Sequence, residues 1–261
     1  MNSSRPRPPS LDSTGTTRGQ FALRGAFLSM SLSIVLFAGC NSSPGKPAVN
    51  SETLAPNDVL DFNALYSDNC AGCHGAEGKG GAAMALADPV YLAIVDDATI
   101  HKVITGGVSR TAMPAFAQSA GGMLTDKQVD VLAGNIRSRW GKNGILGAAN
   151  PPSYMAKSQG DAPRGAQAFK TYCASCHGPE GRGGPSGSSI TDDSFLALLN
   201  DRELRTLVIV GRPELGAPDW RSNVPGTPMS EQDVSDVVAW LAAQRVQNPG
   251  QPYSVSTNAQ H

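Results

Sequence analysis

Two stretches of twelve residues decide the fold of this chain: CAGCHGAEGKGG at residues 70–81 and CASCHGPEGRGG at residues 173–184. They are identical at nine of twelve positions, and each places a histidine directly after two cysteines spaced as C-x-x-C. The similarity extends further, because DPVYLAIVDDATIHKVITGG (88–107) aligns without a gap to DDSFLALLNDRELRTLVIVG (192–211). Internal repetition of this kind indicates one fold used twice.

The cysteine spacing points to a particular chemistry. C-x-x-C-H is the pattern by which haem c is attached to a protein. Two thiols one helical turn apart can bond both vinyl groups of a porphyrin, and the next histidine then lies under the ring as the proximal iron ligand. A single C-x-x-C is also found in redox dithiols and zinc sites, and both motifs together could form a Cys₄ site. The paired histidines favour two haem c groups, held by the following residues: Cys70, Cys73, Cys173 and Cys176 as covalent attachments, His74 and His177 as iron ligands.

The rest of each repeat predicts helices. Apolar residues at helical spacing precede each motif, and two short amphipathic helices with a glycine stop follow it. Each half closes with a longer helix, at about 126–140 and 231–246. Thr125 and Gln128 form a capping-box pattern at the first start, and Ser230 is a cap for the second. The predicted fold class is therefore all-α.

This arrangement resembles a tandem pair of class I cytochrome c domains, over about residues 57–246. The resemblance rests on the attachment motifs, the glycine-rich loop after each one and the capped terminal helix. It implies a few short helices around each covalently bound haem c, with the motif-bearing helix packed across the terminal helix. It also implies a methionine as second axial ligand. We expect domain 1 at 57–145, a linker at 146–162, domain 2 at 163–247 and a polar tail at 248–261.

The two halves differ at the sixth iron ligand. Met113, followed by Pro114, lies 39 residues after His74 and matches the family's methionine loop. The corresponding residue of the second half is Ala217, which cannot ligate iron. Met229, 52 residues after His177, is a possible substitute, although it aligns with Leu124 and could be a core residue. Without it, the second iron is five-coordinate or bound by water or another side chain.

Two basic residues at equivalent positions are weaker candidates for contact with haem. His101 and Arg205 stand at the same place in the two aligned segments. A basic side chain there could pair with a haem propionate, because charge-assisted hydrogen bonds are strong. Solvent exposure is the alternative.

The N-terminus predicts export with a lipid anchor. An arginine-rich region precedes a 13-residue, mainly apolar run at 26–38. This pattern is typical of a secretory signal, and the run is too short for a membrane span. The sequence Phe37-Ala38-Gly39-Cys40 resembles a bacterial lipobox, whose cysteine receives diacylglycerol. The signal thus covers 1–40, and the Ser/Pro-rich residues 41–56 form a flexible tether. Ordinary cleavage near Gly39 is the alternative.

Composition and motifs together limit the classes of function that this chain can have. With 21 basic and 22 acidic residues the net charge is −1, so the electrostatic argument for a nucleic-acid-binding protein is absent, and we expect no nucleic acid as partner. The leading hypothesis is a di-haem electron carrier in a bacterial envelope respiratory or photosynthetic chain, partnered by a membrane redox complex or a soluble electron-transfer protein. A fixed docking subunit of such a complex would use the same chemistry. The alternative is an enzyme of peroxidase or thiosulfate dehydrogenase type, acting at an open sixth position on haem 2.

Overall fold

The structure is a computed structural model that describes residues 54–246. The predicted signal segment with Cys40 and the predicted tail at 248–261 lie outside the described residues. The first half contains five helices: α1 (Phe62–Asn69), α2 (Ala71–His74), α3 (Pro89–Ile94), α4 (Asp97–Gly106) and α5 (Asp126–Trp140). The second half repeats them in the same order: α6 (Ala162–Tyr172), α7 (Ala174–His177), α8 (Asp193–Ala197), α9 (Asp201–Val210) and α10 (Glu231–Ala243).

Short 3₁₀ turns complete the secondary structure, at Pro56–Asp58, Gln118–Ala120 and Pro213–Leu215. Between residues 54 and 246 there is no strand, only two isolated bridges. The all-α prediction is therefore confirmed. No helix in this described range has the length and apolar character required to cross a bilayer.

Local capping explains where the longer helices begin. The predicted capping box at α5 is present, since the Thr125 hydroxyl accepts from the Gln128 amide and the Gln128 side chain accepts in return from the Thr125 amide. Ser230 caps α10 in the same reciprocal way with Asp233. The predicted end of α10 at residue 246 is wrong, because the helix ends at Ala243. Arg245 instead turns back and donates to the carbonyl oxygens of Leu196, in α8, and Leu199, just after it.

The first and last helices of the second half cross at very short range. A Cβ built on Gly165 of α6 would lie 1.9 Å from the Asp236 carbonyl oxygen of α10. Only glycine permits this approach, and it brings the rings of Phe169 and Trp240 into a stack with centroids 4.2 Å apart. In the first half, Phe62 stands where Gly165 stands. There α1 packs on α5 through aromatic rings instead, with Tyr66 at 5.2 Å from the Trp140 ring.

The two halves pack together through helices and loops. Helix α3 of the first half contacts α9 of the second. Their buried side chains join one hydrophobic core that includes residues of both halves. The segment between α5 and α6 is fastened to the second half, because the Ser153 amide donates to the Glu231 carboxylate at 2.7 Å.

Candidate functional site

The two attachment motifs have nearly the same backbone geometry. Cys70 ends α1 and precedes α2 with φ −122° and ψ −38°, and Cys173 does so between α6 and α7 with φ −122° and ψ −32°. In each motif the histidine amide donates to the carbonyl of the first cysteine at 3.0 Å. The two cysteines of each motif therefore lie on one helical turn, as attachment to one porphyrin requires.

Each motif histidine is held by a backbone carbonyl. The Nδ1 atom of His74 lies 2.8 Å from the Met84 oxygen, and Nδ1 of His177 lies 2.8 Å from the Ser188 oxygen. Because a carbonyl only accepts, Nδ1 must carry the proton, and Nε2 keeps a lone pair for a metal. Burial lowers the pKa of His74 and favours this neutral form, although the hydrogen bond to Met84 acts in the opposite direction.

The glycine-rich loop after each motif, here called the attachment loop (residues 75–87 and 178–191), folds tightly onto the motif. A Cβ on Gly81 would lie 2.1 Å from the Cys73 oxygen, and one on Gly184 would lie 2.4 Å from the Cys176 oxygen. Gly75 has φ +84°, in the region that favours glycine. These close approaches explain why glycines follow both motifs.

The thiol environments fit thioether bonds. All four cysteines are unpaired, and burial raises the pKa of Cys70 to about 11 and of Cys173 to about 12, with the neighbouring motif cysteine adding to the rise. Redox dithiols and metal thiolates need the opposite shift, because the thiolate is their reactive form. Within residues 54–246 no three His, Cys, Asp or Glu side chains gather as a metal site, so the four cysteines form no Cys₄ centre there. The donor set therefore fits one haem c group in each half.

The loop before the terminal helix, here called the ligand loop (residues 107–117 and 211–221), has equivalent geometry in both halves. The Val108 amide donates to the Met113 oxygen at 3.0 Å, and the Arg212 amide donates to the Ala217 oxygen at 3.0 Å. A Cβ on Gly211 would lie 2.7 Å from that same Ala217 oxygen. Ala217 thus occupies the backbone position of Met113, whose side chain is partly exposed.

Met229 occupies the position of Leu124. Its amide donates to the Trp220 oxygen at 2.9 Å, as the Leu124 amide donates to the Phe116 oxygen at 2.7 Å. The Met229 side chain is buried, and its sulfur accepts a hydrogen bond from Asn223 Nδ2 at 3.5 Å. Asn223 was not singled out in the sequence, because nothing local indicates a partner six residues away.

His101 and Arg205 contact the terminal helix of their own half. Arg205 is buried and donates to the Ser153 oxygen, to Ser235 Oγ and to the Glu231 carboxylate. Its donors hold the segment between α5 and α6 on α10. The prediction that Arg205 is exposed to solvent is therefore wrong. His101 pairs with Asp130 of α5 at 3.1 Å and stays partly exposed. Both side chains join the second amphipathic helix of their half to its terminal helix.

Paired attachment turns, oriented histidines and ligand loops are the features of a c-type cytochrome. Comparison with family models agrees: residues 57–134 match "Cytochrome C oxidase, cbb3-type, subunit III", and residues 162–244 match "Cytochrome c". The chain therefore carries two cytochrome c-type domains in tandem, and its cofactors are two haem c groups.

Curated relatives extend the similarity across both domains. The chain is 32% identical over 142 residues to a cbb3-type cytochrome c oxidase subunit CcoP of Azospirillum sp., covering 48% of this chain and 43% of that protein. It is 25% identical over 192 residues to a cytochrome bc1 complex cytochrome c subunit of Mycobacterium bovis, covering 71% of this chain and 64% of that protein. A cbb3-type cytochrome c oxidase subunit CcoP of Cereibacter sphaeroides is 25% identical over 227 residues, covering 80% of this chain and 71% of that protein. The chain thus spans less than two thirds of the first two relatives.

A solved chain from a reducing HAO-like protein complex of Kuenenia stuttgartiensis is also similar. It aligns with a TM-score of 0.42 at 18% identity, covering 71% of this chain and 96% of that chain.

Proposed function

We propose that this protein passes single electrons between redox partners of a bacterial envelope, as a di-haem c-type cytochrome. The observation that carries the proposal is the duplicated site, in which each motif histidine has Nδ1 held by a carbonyl and Nε2 left for iron. When bound, haem c supplies reversible Fe(III)/Fe(II) cycling. The residues of the chain need only hold, orient and shield the group, and no general base is required.

We propose the following assignment of site residues. Cys70 and Cys73 attach the first haem, and Cys173 and Cys176 attach the second. His74 and His177 are the proximal ligands. Met113 is the sixth ligand of the first iron, and Met229 is the candidate for the second.

Different sixth-ligand positions give the two haems different potentials. A thioether opposite histidine raises the potential of a haem. Met113 stands on the ligand loop itself, whereas the second half has Ala217 there and offers Met229 only from the start of its terminal helix. We therefore expect two separate midpoint potentials, which would give electron flow inside the chain a direction.

The proposed location is the periplasm or cell envelope, with Cys40 as a lipid anchor. Support comes from the apolar segment and lipobox-like residues before Cys40, and two acyl chains are sufficient for stable anchoring. The relatives named as subunits of a cbb3-type oxidase and a bc1 complex favour a membrane redox complex as partner. Cys40→Ala tests the anchor, because loss of lipidation should move the chain from the membrane fraction to the soluble fraction of the cell envelope.

The deciding experiment is a visible spectrum of the purified chain, oxidised and reduced, with and without carbon monoxide. A pyridine haemochrome assay should give two haem c groups per chain, and Cys173→Ser with Cys176→Ser should remove one. Two low-spin haems whose spectra do not change with carbon monoxide support the carrier, with Met229 or another side chain as the second sixth ligand. A chain purified without covalent haem from a host that matures c-type cytochromes would overturn the proposal.

One observation favours an enzyme as second candidate: Ala217 replaces the ligand position of Met113. The matched relatives, all named as subunits of oxidase or bc1 complexes, do not favour it. The same spectra test this candidate, since peroxide or thiosulfate turnover at the second iron requires that half of the haem binds carbon monoxide.

A further inference from the structure

The side chain of Arg212 joins the ligand loop of the second half to the attachment loop of the first. Its Nη2 atom donates to the Gly81 oxygen at 3.2 Å, and its Nε donates to the Glu214 carboxylate. The Arg212 and Glu214 side chains are 21% and 20% exposed, and the hydrogen bond from Arg212 to Gly81 is partly buried.

A haem site lies on each side of this contact. Gly81 packs directly on the Cys73 carbonyl, where a Cβ would come within 2.1 Å. The Arg212 amide donates to the Ala217 oxygen, at the position that corresponds to Met113. A continuous series of covalent bonds and short contacts therefore leads from the first haem attachment to the sixth-ligand side of the second.

The repeat shows that the fold itself does not require an arginine here. Val108 occupies the same position in the first half and makes the same backbone hydrogen bond, to Met113. Its buried side chain has no donor. The Arg212 guanidinium is therefore an addition specific to the second half, and its use is the contact between halves.

Carboxylates of both halves lie near one another beside this contact. Asp88 of the first half caps α3 by accepting from the Val90 and Tyr91 amides. Burial, together with the carboxylates of Glu214 and Asp219, raises the pKa of Asp88. Because like charges repel, these carboxylates oppose the docking, and the Arg212 guanidinium, which pairs with Glu214, offsets part of this repulsion.

We propose that Arg212 is a positioning residue for electron transfer between the two haems of one chain. It holds the ligand loop of the second half against the attachment loop of the first, and so fixes the contact that an electron crosses. In this step one iron goes from Fe(II) to Fe(III) while the other goes from Fe(III) to Fe(II), and nothing else is consumed. The inference rests on the proposed function.

The test uses the full holoprotein and Arg212→Val, which installs the residue that Val108 provides in the first half. After a pulse of reductant, the rate of electron redistribution between the haems is followed by absorbance. We expect this rate to fall about tenfold, the factor implied by loss of one hydrogen bond from a charged donor in a docking equilibrium. Arg212→Lys keeps a donor and should restore most of the rate.

Arg245→Val is the matched control. Arg245 also combines an ion pair, to Asp201, with hydrogen bonds to carbonyl oxygens, but all of them lie within the second half. It should leave the redistribution rate unchanged while lowering stability. Pulsed EPR between the two Fe(III) centres should show a broader distance distribution in Arg212→Val alone.

The outcomes separate this inference from the proposed function. An unchanged rate and distance distribution in Arg212→Val, with both haems reducible, overturns the inference and leaves the carrier intact. An equal loss in Arg245→Val also overturns it, because general destabilisation then explains the effect. A wild-type chain without covalent haem overturns the proposed function and the inference with it.

Discussion

The crossing of α6 and α10 gives the sharpest prediction for stability. Gly165→Ala adds one methyl group where the Asp236 carbonyl oxygen would lie 1.9 Å away and the Trp240 Cβ 2.8 Å away. The obstacle is the backbone of a neighbouring helix, which cannot rotate out of the way as a side chain would. The helices must move apart, and the Phe169–Trp240 stack must move with them.

The magnitude follows from two opposing effects. Alanine is about 1 kcal/mol more favourable than glycine inside a helix. Overpacking costs about 1–3 kcal/mol, and a contact with backbone places this substitution at the upper end. The net effect of Gly165→Ala is therefore a loss of about 2 kcal/mol, which lowers Tm by about 4–8 °C for a chain of this size.

Gly134→Ala in α5 is the matched control, because a Cβ there meets nothing within 4 Å. It should stabilise the chain by about 0.5–1 kcal/mol through helix propensity alone. Both variants are compared with wild-type holoprotein by thermal and guanidinium unfolding followed by far-UV circular dichroism. If Gly165→Ala stabilises the protein as Gly134→Ala does, the close helix crossing is refuted.

Three further predictions concern ligands and pH. Met113→Ala should make the first haem high-spin, lower its potential and let it bind carbon monoxide; an unchanged difference spectrum would exclude Met113. Met229→Leu introduces the residue found at Leu124, so it should lower the free energy of unfolding by less than about 1.5 kcal/mol. It should also allow the second haem to bind carbon monoxide. An unchanged spectrum would show that Met229 is a core residue and not a ligand. Although burial opposes it, hydrogen bonding to Arg164 lowers the pKa of Asp236. Its stabilising effect is therefore present above about pH 4 and lost as pH falls further, and Asp236→Asn should flatten acid unfolding curves in that range.

Local signals in the sequence predicted most of the helices. The pair Thr125 and Gln128 predicted the start of α5, and the structure has that capping box. Gly107 and Gly211 marked the ends of α4 and α9, and both have positive φ. These features depend on residues a few positions apart, so that a single sequence contains all the required information.

Contacts between distant segments could not be predicted in this way. The carbonyls that orient His74 and His177 belong to Met84 and Ser188, and any residue type supplies a carbonyl. Arg205 was read as exposed or haem-facing because its three partners lie on segments 26 to 52 residues away. Burial of a charged side chain becomes visible only when those segments are brought together.

Two differences between the halves lie in the ligand loop. The attachment motifs, their glycines and the carbonyl bonds to His74 and His177 are the same in both. In the ligand loop, methionine is replaced by Ala217 and valine by Arg212, and the segment between this loop and Met229 is one residue longer than its counterpart before Leu124. The first substitution removes the proposed sixth ligand from the second half, and the second adds a hydrogen bond to the first half. If the proposed ligands are correct, a duplicated site that keeps its attachment motifs and histidine partners but loses one methionine would hold two haems of unequal potential, and unequal potentials give electron transfer within one chain a direction.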